Sequence, residues 1–222
     1  MGNEQKRHIC AMQVAQFTFN EFSENTYVLY DDTKECIIVD PGCHRSSEQT
    51  ELKNFISQQG LTPKILLNTH CHIDHVLGNS FVANLYRVPL YLHELELETY
   101  KGTDRWAQLF GIVMDEIPEN RVYLKEGDMI SFGNSQLRVL LTPGHSIASL
   151  SFYHAETGQL ISGDVLFYQS IGRTDLPGGD YNTLINSIQS KLMVLPDETV
   201  VYSGHGPKTT IGFERKNNPF LV

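Results

Sequence analysis

The chain has 222 residues, 41% apolar and 19% charged, which suits one large domain with a substantial core and not a disordered polypeptide. A formal charge of −9 without any Lys/Arg cluster argues against a surface that tracks nucleic-acid phosphates. No apolar run approaches the roughly 20 residues that cross a bilayer, which argues against a helical membrane span.

The first twelve residues carry charges but lead into no apolar stretch, so no secretory signal is expected. The cysteines, Cys10, Cys36, Cys43 and Cys71, make no Cys-x-x-Cys pair; reduced thiols in a cytoplasmic protein are the expectation.

Short β-rich segments come first. Residues 17–20, 26–30 and 36–39 are predicted strands separated by polar turns such as Asp31-Asp32, and the third runs into the turn Asp40-Pro41-Gly42. Leu52, Phe55 and Ile56 have helical spacing within 46–59, with Ser46 or Ser47 to cap the start and Gly60 to stop it. Ile65-Leu66-Leu67 predicts a buried strand that ends at Asn68-Thr69-His70. A helix near 76–86, a brief strand at 90–92 and a helix over 94–111 follow. The last lies where a substrate cover could sit, although Tyr100, Trp106 and Phe110 read more simply as the core face of an amphipathic helix. Strands return at 121–124, 129–132, 137–141, 149–153 and 159–161, and a helix over 181–195 precedes a last strand at 199–202. With no linker, low-complexity tract or repeat, one α/β domain over 1–222 is expected, two sheets face to face under outer helices.

The chemistry concentrates where strands end. His70-Cys71-His72-Ile73-Asp74-His75 places three imidazoles and a carboxylate within six positions. Alternate residues of an extended loop point the same way, so His70 and His72 can reach one metal together, while Asp74 and His75 are displaced towards a neighbouring ion. His145 follows the strand at 137–141, Asp164 the strand at 159–161, and His205 the strand at 199–202. Each is flanked by glycine, which lets the backbone bend and approach an ion closely. A lone His-Gly pair would be an ordinary surface feature; a dense cluster with three strand-end partners is not. Imidazole and carboxylate without thiolate suit zinc, iron or manganese. Two divalent metal ions are expected, zinc foremost, with Asp164 as the natural bridge between them. His8, His44, His93 and His154 lack this context and are assigned no role.

The series His-x-His-x-Asp-His at 70–75 with His145, Asp164 and His205 resembles the metallo-β-lactamase superfamily, over nearly the whole chain from Asn25 to Asn218-Pro219-Phe220. The resemblance implies a four-layer αββα sandwich of two mixed β-sheets with the site along one edge. It further implies that His70, His72 and His145 take a first metal, that Asp74, His75 and His205 take a second, and that Asp164 bridges them. Asp40 matches an early aspartate that supports the metal loop from behind; a plain turn aspartate is the alternative.

Within the superfamily, many β-lactamases carry cysteine or serine at the position of Asp164, flavodiiron proteins carry glutamate at that of His72, and RNA-processing nucleases add an exosite or second domain. Residues 171–180 and 204–212 are similar to short-type glyoxalase-II-like enzymes. This implies hydrolysis of a thioester such as S-lactoylglutathione. Two ions would share a water and lower its pKa towards roughly 7, with Asp74 and Asp164 as ligands that orient it. The longer enzymes have a C-terminal helical domain that grips glutathione, which this chain is expected to lack. They also carry lysine at the position of Arg173 and an aromatic hydroxyl at that of Asp175. Arg173 therefore either holds a substrate carboxylate or pairs with Asp175. Gly-Arg-Thr-Asp at 172–175 also resembles persulfide dioxygenases with a single iron, the alternative reading, with lactonases of the same ligand set behind it. The expected partner is a small molecule, with neither nucleic acid nor membrane.

Overall fold

The computed structural model describes residues 11–222, so His8 and Cys10 lie outside the described residues. The first sheet is β1 (Gln13–Phe19), β2 (Glu24–Tyr30), β3 (Glu35–Val39), β4 (Thr62–Leu67), β5 (Leu90–Leu92) and β6 (Arg121–Tyr123), side by side in that order. It is antiparallel as far as β3 and parallel from there on. The parallel half needs crossovers, and helices supply them: α1 (Ser46–Gln58) after β3, then α2 (Ile73–Val76) and α3 (Asn79–Tyr86) after β4. The crossover from β5 to β6 carries α4 (Glu96–Phe110).

The second half begins with β7 (Met129–Phe132), β8 (Ser135–Leu141), β9 (Leu150–His154) and β10 (Gln159–Gly163), an antiparallel run. A small hairpin, β11 (Leu166–Phe167) and β12 (Ser170–Ile171), stands apart. The crossover helix α5 (Tyr181–Ser187) continues into a π-helical turn at 188–192. The chain then returns in β13 (Val200–Ser203), which pairs parallel to β10, and closes with β14 (Thr209–Thr210) and α6 (Ile211–Asn217).

Strand alternation builds three apolar layers. In β2, Tyr27 and Leu29 face the other sheet, where they join Ile37, Val39 and Leu67 against Leu137, Val139, Leu150 and Phe152. Val28 points the opposite way, and with Ile38, Leu66 and Leu90 it packs under Leu52, Ile56 and Val82 of the helices. On the far side Leu140, Leu160 and Val201 receive Leu184, Ile188 and Ile211. The result is the αββα sandwich of two mixed sheets that the sequence led us to expect.

Some elements depart from expectation. The helix expected near 76–86 is two helices. Its break falls at Gly78, whose N–H donates to the Pro41 carbonyl at 2.6 Å and where a Cβ would stand 2.5 Å from Cys43 Sγ. Tyr100 is buried as a core residue of α4, but Trp106 and Phe110 are 42% and 56% exposed, so the core reading holds for the tyrosine alone. The β11–β12 hairpin, β14 and α6 were not anticipated. Cys36, Cys43 and Cys71 are buried free thiols. No helix among the described residues is long and apolar enough to cross a membrane.

Candidate metal centre

Every candidate ligand sits just past the C-terminal end of a strand, along one edge of the sandwich. β3 delivers Asp40, β4 the segment 70–75, β8 His145, β10 Asp164 and β13 His205. The segment after β4 is extended only through His72 (φ −67°, ψ 155°), which caps α2. Asp74 and His75 thus lie on a helical turn and not further along an extended loop. Successive helix positions diverge by about 100°, which separates the two side chains while keeping both at the edge.

The three histidines of the first group converge closely: His145 Nε2 is 2.9 Å from His72 Nδ1 and 3.2 Å from His70 Nε2. In the second group His205 Nε2 lies 3.1 Å and His75 Nε2 3.5 Å from Asp74 Oδ2. Asp164 stands between. Its Oδ1 is 3.5 Å from His75 Nε2, and its Oδ2 is 3.4 Å from His145 Nε2 and 3.6 Å from His205 Nε2. One carboxylate reaches both groups.

The opposite ring nitrogens fix the tautomers. His145 Nδ1 donates to the Arg173 carbonyl at 2.8 Å, His205 Nδ1 to the Ser23 carbonyl at 3.2 Å, and His75 Nδ1 to Asp40 Oδ2 at 3.1 Å. His70 Nδ1 meets Thr69 Oγ1 at 3.0 Å, and that hydroxyl donates onward to Asp40 at 2.5 Å. In these four rings Nε2 is left facing the gap.

Burial pushes His70 far below the usual imidazole range and brings His72 down to about 3, helped by the neighbouring imidazoles, so both offer neutral lone pairs. Burial also opposes charge on His75, but Asp74, Asp164 and Asp40 outweigh it and hold its pKa well above normal. Burial would raise Asp164; His75, His145 and His205 instead keep it well below the carboxylate range. Carboxylates able to hold a proton on a fully buried imidazole can equally hold a cation.

His75 Nε2 and Asp164 Oδ1 are buried with no hydrogen-bond partner, a cost of about 1–3 kcal/mol each if nothing else satisfied them. His70 Nε2 and His145 Nε2, both left as acceptors, face each other at 3.2 Å with only His72 Nδ1 able to donate, so the three clustered nitrogens cannot all satisfy one another. Five imidazoles and two carboxylates around such orphans fit a pair of first-row divalent cations. The trio His70, His72 and His145 and the trio Asp74, His75 and His205 each bring their ligand atoms within 4.8 Å of one another. The backbone had to leave room: a Cβ at Gly163 would stand 2.5 Å from Thr69 Oγ1, and one at Gly204 would strike Asp164 Oδ1.

Several supporting residues escaped the sequence reading. Asn25 Nδ2 donates to the Ser203 and Gly206 carbonyls at 3.0 and 2.9 Å, and the Tyr27 hydroxyl to Ser203 at 2.6 Å, so β2 grips the His205 loop. Glu24 is fully buried behind His75, and burial pushes its carboxyl well above the usual range. Nothing in the sequence marked it. Arg173 is pinned by both nitrogens of its fork to Asp175, each at 2.7 Å, while its main-chain carbonyl holds His145. Of the two roles left open for its side chain, the pairing is present. His44, His93 and His154 belong to neither metal group.

A model of the metallo-β-lactamase superfamily matches residues 20–205. The chain belongs to that superfamily. Among the superfamily's members, it is 40% identical over 199 residues to YqgX of Bacillus subtilis, described as a probable metallo-hydrolase, covering 89% of this chain and 92% of that one. It is 35% identical over 212 residues to the hydroxyacylglutathione hydrolase GloC of Haemophilus influenzae, covering 95% and 98%. It also superposes on TTHA1623, solved in a di-iron-bound form, with a TM-score of 0.84 and 39% identity over 94% of this chain and all of that one. The seven ligand candidates thus sit in a superfamily of metal-dependent hydrolases.

Proposed function

We propose that the protein is a binuclear metallohydrolase that cleaves thioesters of small thiols, S-lactoylglutathione among them. The observation that carries this reading is the placement of Asp164 within 3.6 Å of imidazoles from both groups, the position a bridging carboxylate takes. Zinc is our first assignment, with iron or manganese suited to the same donors. When bound, the pair supplies Lewis acidity and a water of lowered pKa.

The chain's own residues do the rest. His70, His72 and His145 present neutral nitrogens from one side, and Asp74, His75 and His205 face them across Asp164. Asp74 and Asp164 accept hydrogen bonds from the attacking water and fix its direction. The partly exposed side chains of His72 and His205 mark the side from which a thioester carbonyl enters. A thiolate leaves readily, so the step needs no protein general acid. The substrate is a small molecule, because an acidic chain with no basic patch offers nucleic acid no grip. A reducing compartment such as the cytoplasm agrees with the buried free thiols.

The similarity to GloC supports the thioester reading. The Gly-Arg-Thr-Asp stretch at 172–175 favours one second reading, an iron-dependent oxygenase acting on a persulfide. A panel of thioesters, a persulfide under oxygen and a β-lactam, assayed on protein of measured metal content, separates these. Oxygen-independent thiol release with a kcat/KM of about 10⁴ M⁻¹s⁻¹ or more on at least one thioester is expected. Oxygen consumption with the persulfide, or turnover of the β-lactam alone, overturns the proposal.

A further inference from the structure

Glu96 opens α4, yet its side chain turns inward and is 1% exposed. An acidic residue in a helix's first turn ordinarily faces water, where it complements the helix dipole. This one accepts three hydrogen bonds from two other segments. Its Oε2 takes the Cys71 N–H at 3.0 Å; its Oε1 takes the Ser146 hydroxyl at 2.6 Å and the Ala148 N–H at 2.9 Å. Cys71 lies between His70 and His72, and Ser146 directly follows His145. The two segments that carry all three histidines of the first group are therefore tied through one buried carboxylate. No comparable tie runs from Glu96 to Asp74, His75 or His205: the His205 loop is held by Asn25 and Tyr27, and His75 by Asp40.

We propose that Glu96 is a positioning residue for the first metal group, setting the separation of His70 and His72 from His145 without touching an ion or the substrate. The inference rests on the binuclear reading above. Partners bonded directly to a ligating side chain are worth about 10- to 100-fold in metal affinity. Glu96 sits one residue further out but holds both ligand segments at once, and is expected to act in the same range. A glutamine keeps the shape but turns an amide N–H₂ towards at least one of the three donors, so the tie cannot be remade.

The test measures zinc binding by calorimetry in two backgrounds, His205→Ala, which leaves the first group intact, and His72→Ala, which leaves the second. Adding Glu96→Gln is expected to weaken binding about 10- to 100-fold in the first background and by less than about threefold in the second. Asp31→Asn serves as the comparison for a purely structural loss. Asp31 is equally buried and accepts hydrogen bonds from Thr33, Asn134 and Ser135, but it follows the opposite end of β2. It should lower stability and leave both affinities unchanged. If Glu96→Gln is too unstable to purify, Ser146→Ala removes a single bond and should weaken the first site roughly three- to tenfold. Equal affinities with and without Glu96→Gln, or equal losses in both backgrounds, overturn the assignment. Failure of the unsubstituted protein to bind two equivalents would instead overturn the binuclear reading beneath it.

Discussion

Replacing Asp164 with alanine is expected to lower metal content from two equivalents to one or fewer and to cut turnover by about 10³-fold or more. The magnitude follows from what is lost. The carboxylate lies within 3.6 Å of imidazoles on both sides. Without it the two sites share no ligand and the water loses an orienting acceptor, an effect of several kcal/mol on the transition state, with each 1.4 kcal/mol worth a factor of ten. Parallel metal analysis and thioester kinetics on the same preparation check this. Near-normal turnover with a full metal complement would show that the bridge is dispensable.

The second large effect concerns stability. Asp40 Oδ1 accepts the Thr69 N–H at 2.7 Å and the Asn68 amide at 3.2 Å, while Oδ2 accepts the Thr69 hydroxyl and His75 Nδ1. It does so from a left-handed backbone (φ 46°), which aspartate tolerates better than most residues. Alanine would leave these buried donors without their acceptor and strand a buried imidazole. A loss of about 3–5 kcal/mol is expected, or a fall in Tm of roughly 6–20 °C for a chain of this size. Asp40→Asn, which keeps one oxygen, should fall between. Both proteins must be stripped of metal before melting, because bound ligand itself stabilises the folded form. A metal-free Asp40→Ala that melts within about 2 °C of the parent would remove Asp40 from the account.

Much of this was legible in the sequence, for identifiable reasons. Apolar runs such as Ile65-Leu66-Leu67 and Cys36-Ile37-Ile38-Val39 announce strands because both faces of the inner sheets are covered. The ligands announced themselves because strand ends followed by glycine and histidine or aspartate recur. What stayed hidden was short or non-local. β11, β12 and β14 are two residues each, too brief for any period to register. α6 contains a glycine, and its capping cue, the Thr210 hydroxyl accepting from the Phe213 N–H, lies in one side chain. The start of β1 alternates weakly, since Gln13 and Gln16 carry no apolar signal. Nothing in the sequence distinguishes Glu24 or Glu96 from other acids; the packing of distant segments shows them buried. Against the extended-loop expectation for Asp74 and His75, the segment coils into a helical turn that buries Ile73 and Val76 in apolar clusters.

The number of ions one chain holds is the most direct measure of this account. Protein stripped of metal, reconstituted with zinc and dialysed against metal-free buffer should retain two equivalents by elemental analysis, and His205→Ala should retain one. An unsubstituted chain that keeps fewer than two, or a His205→Ala variant that still keeps two, would contradict it.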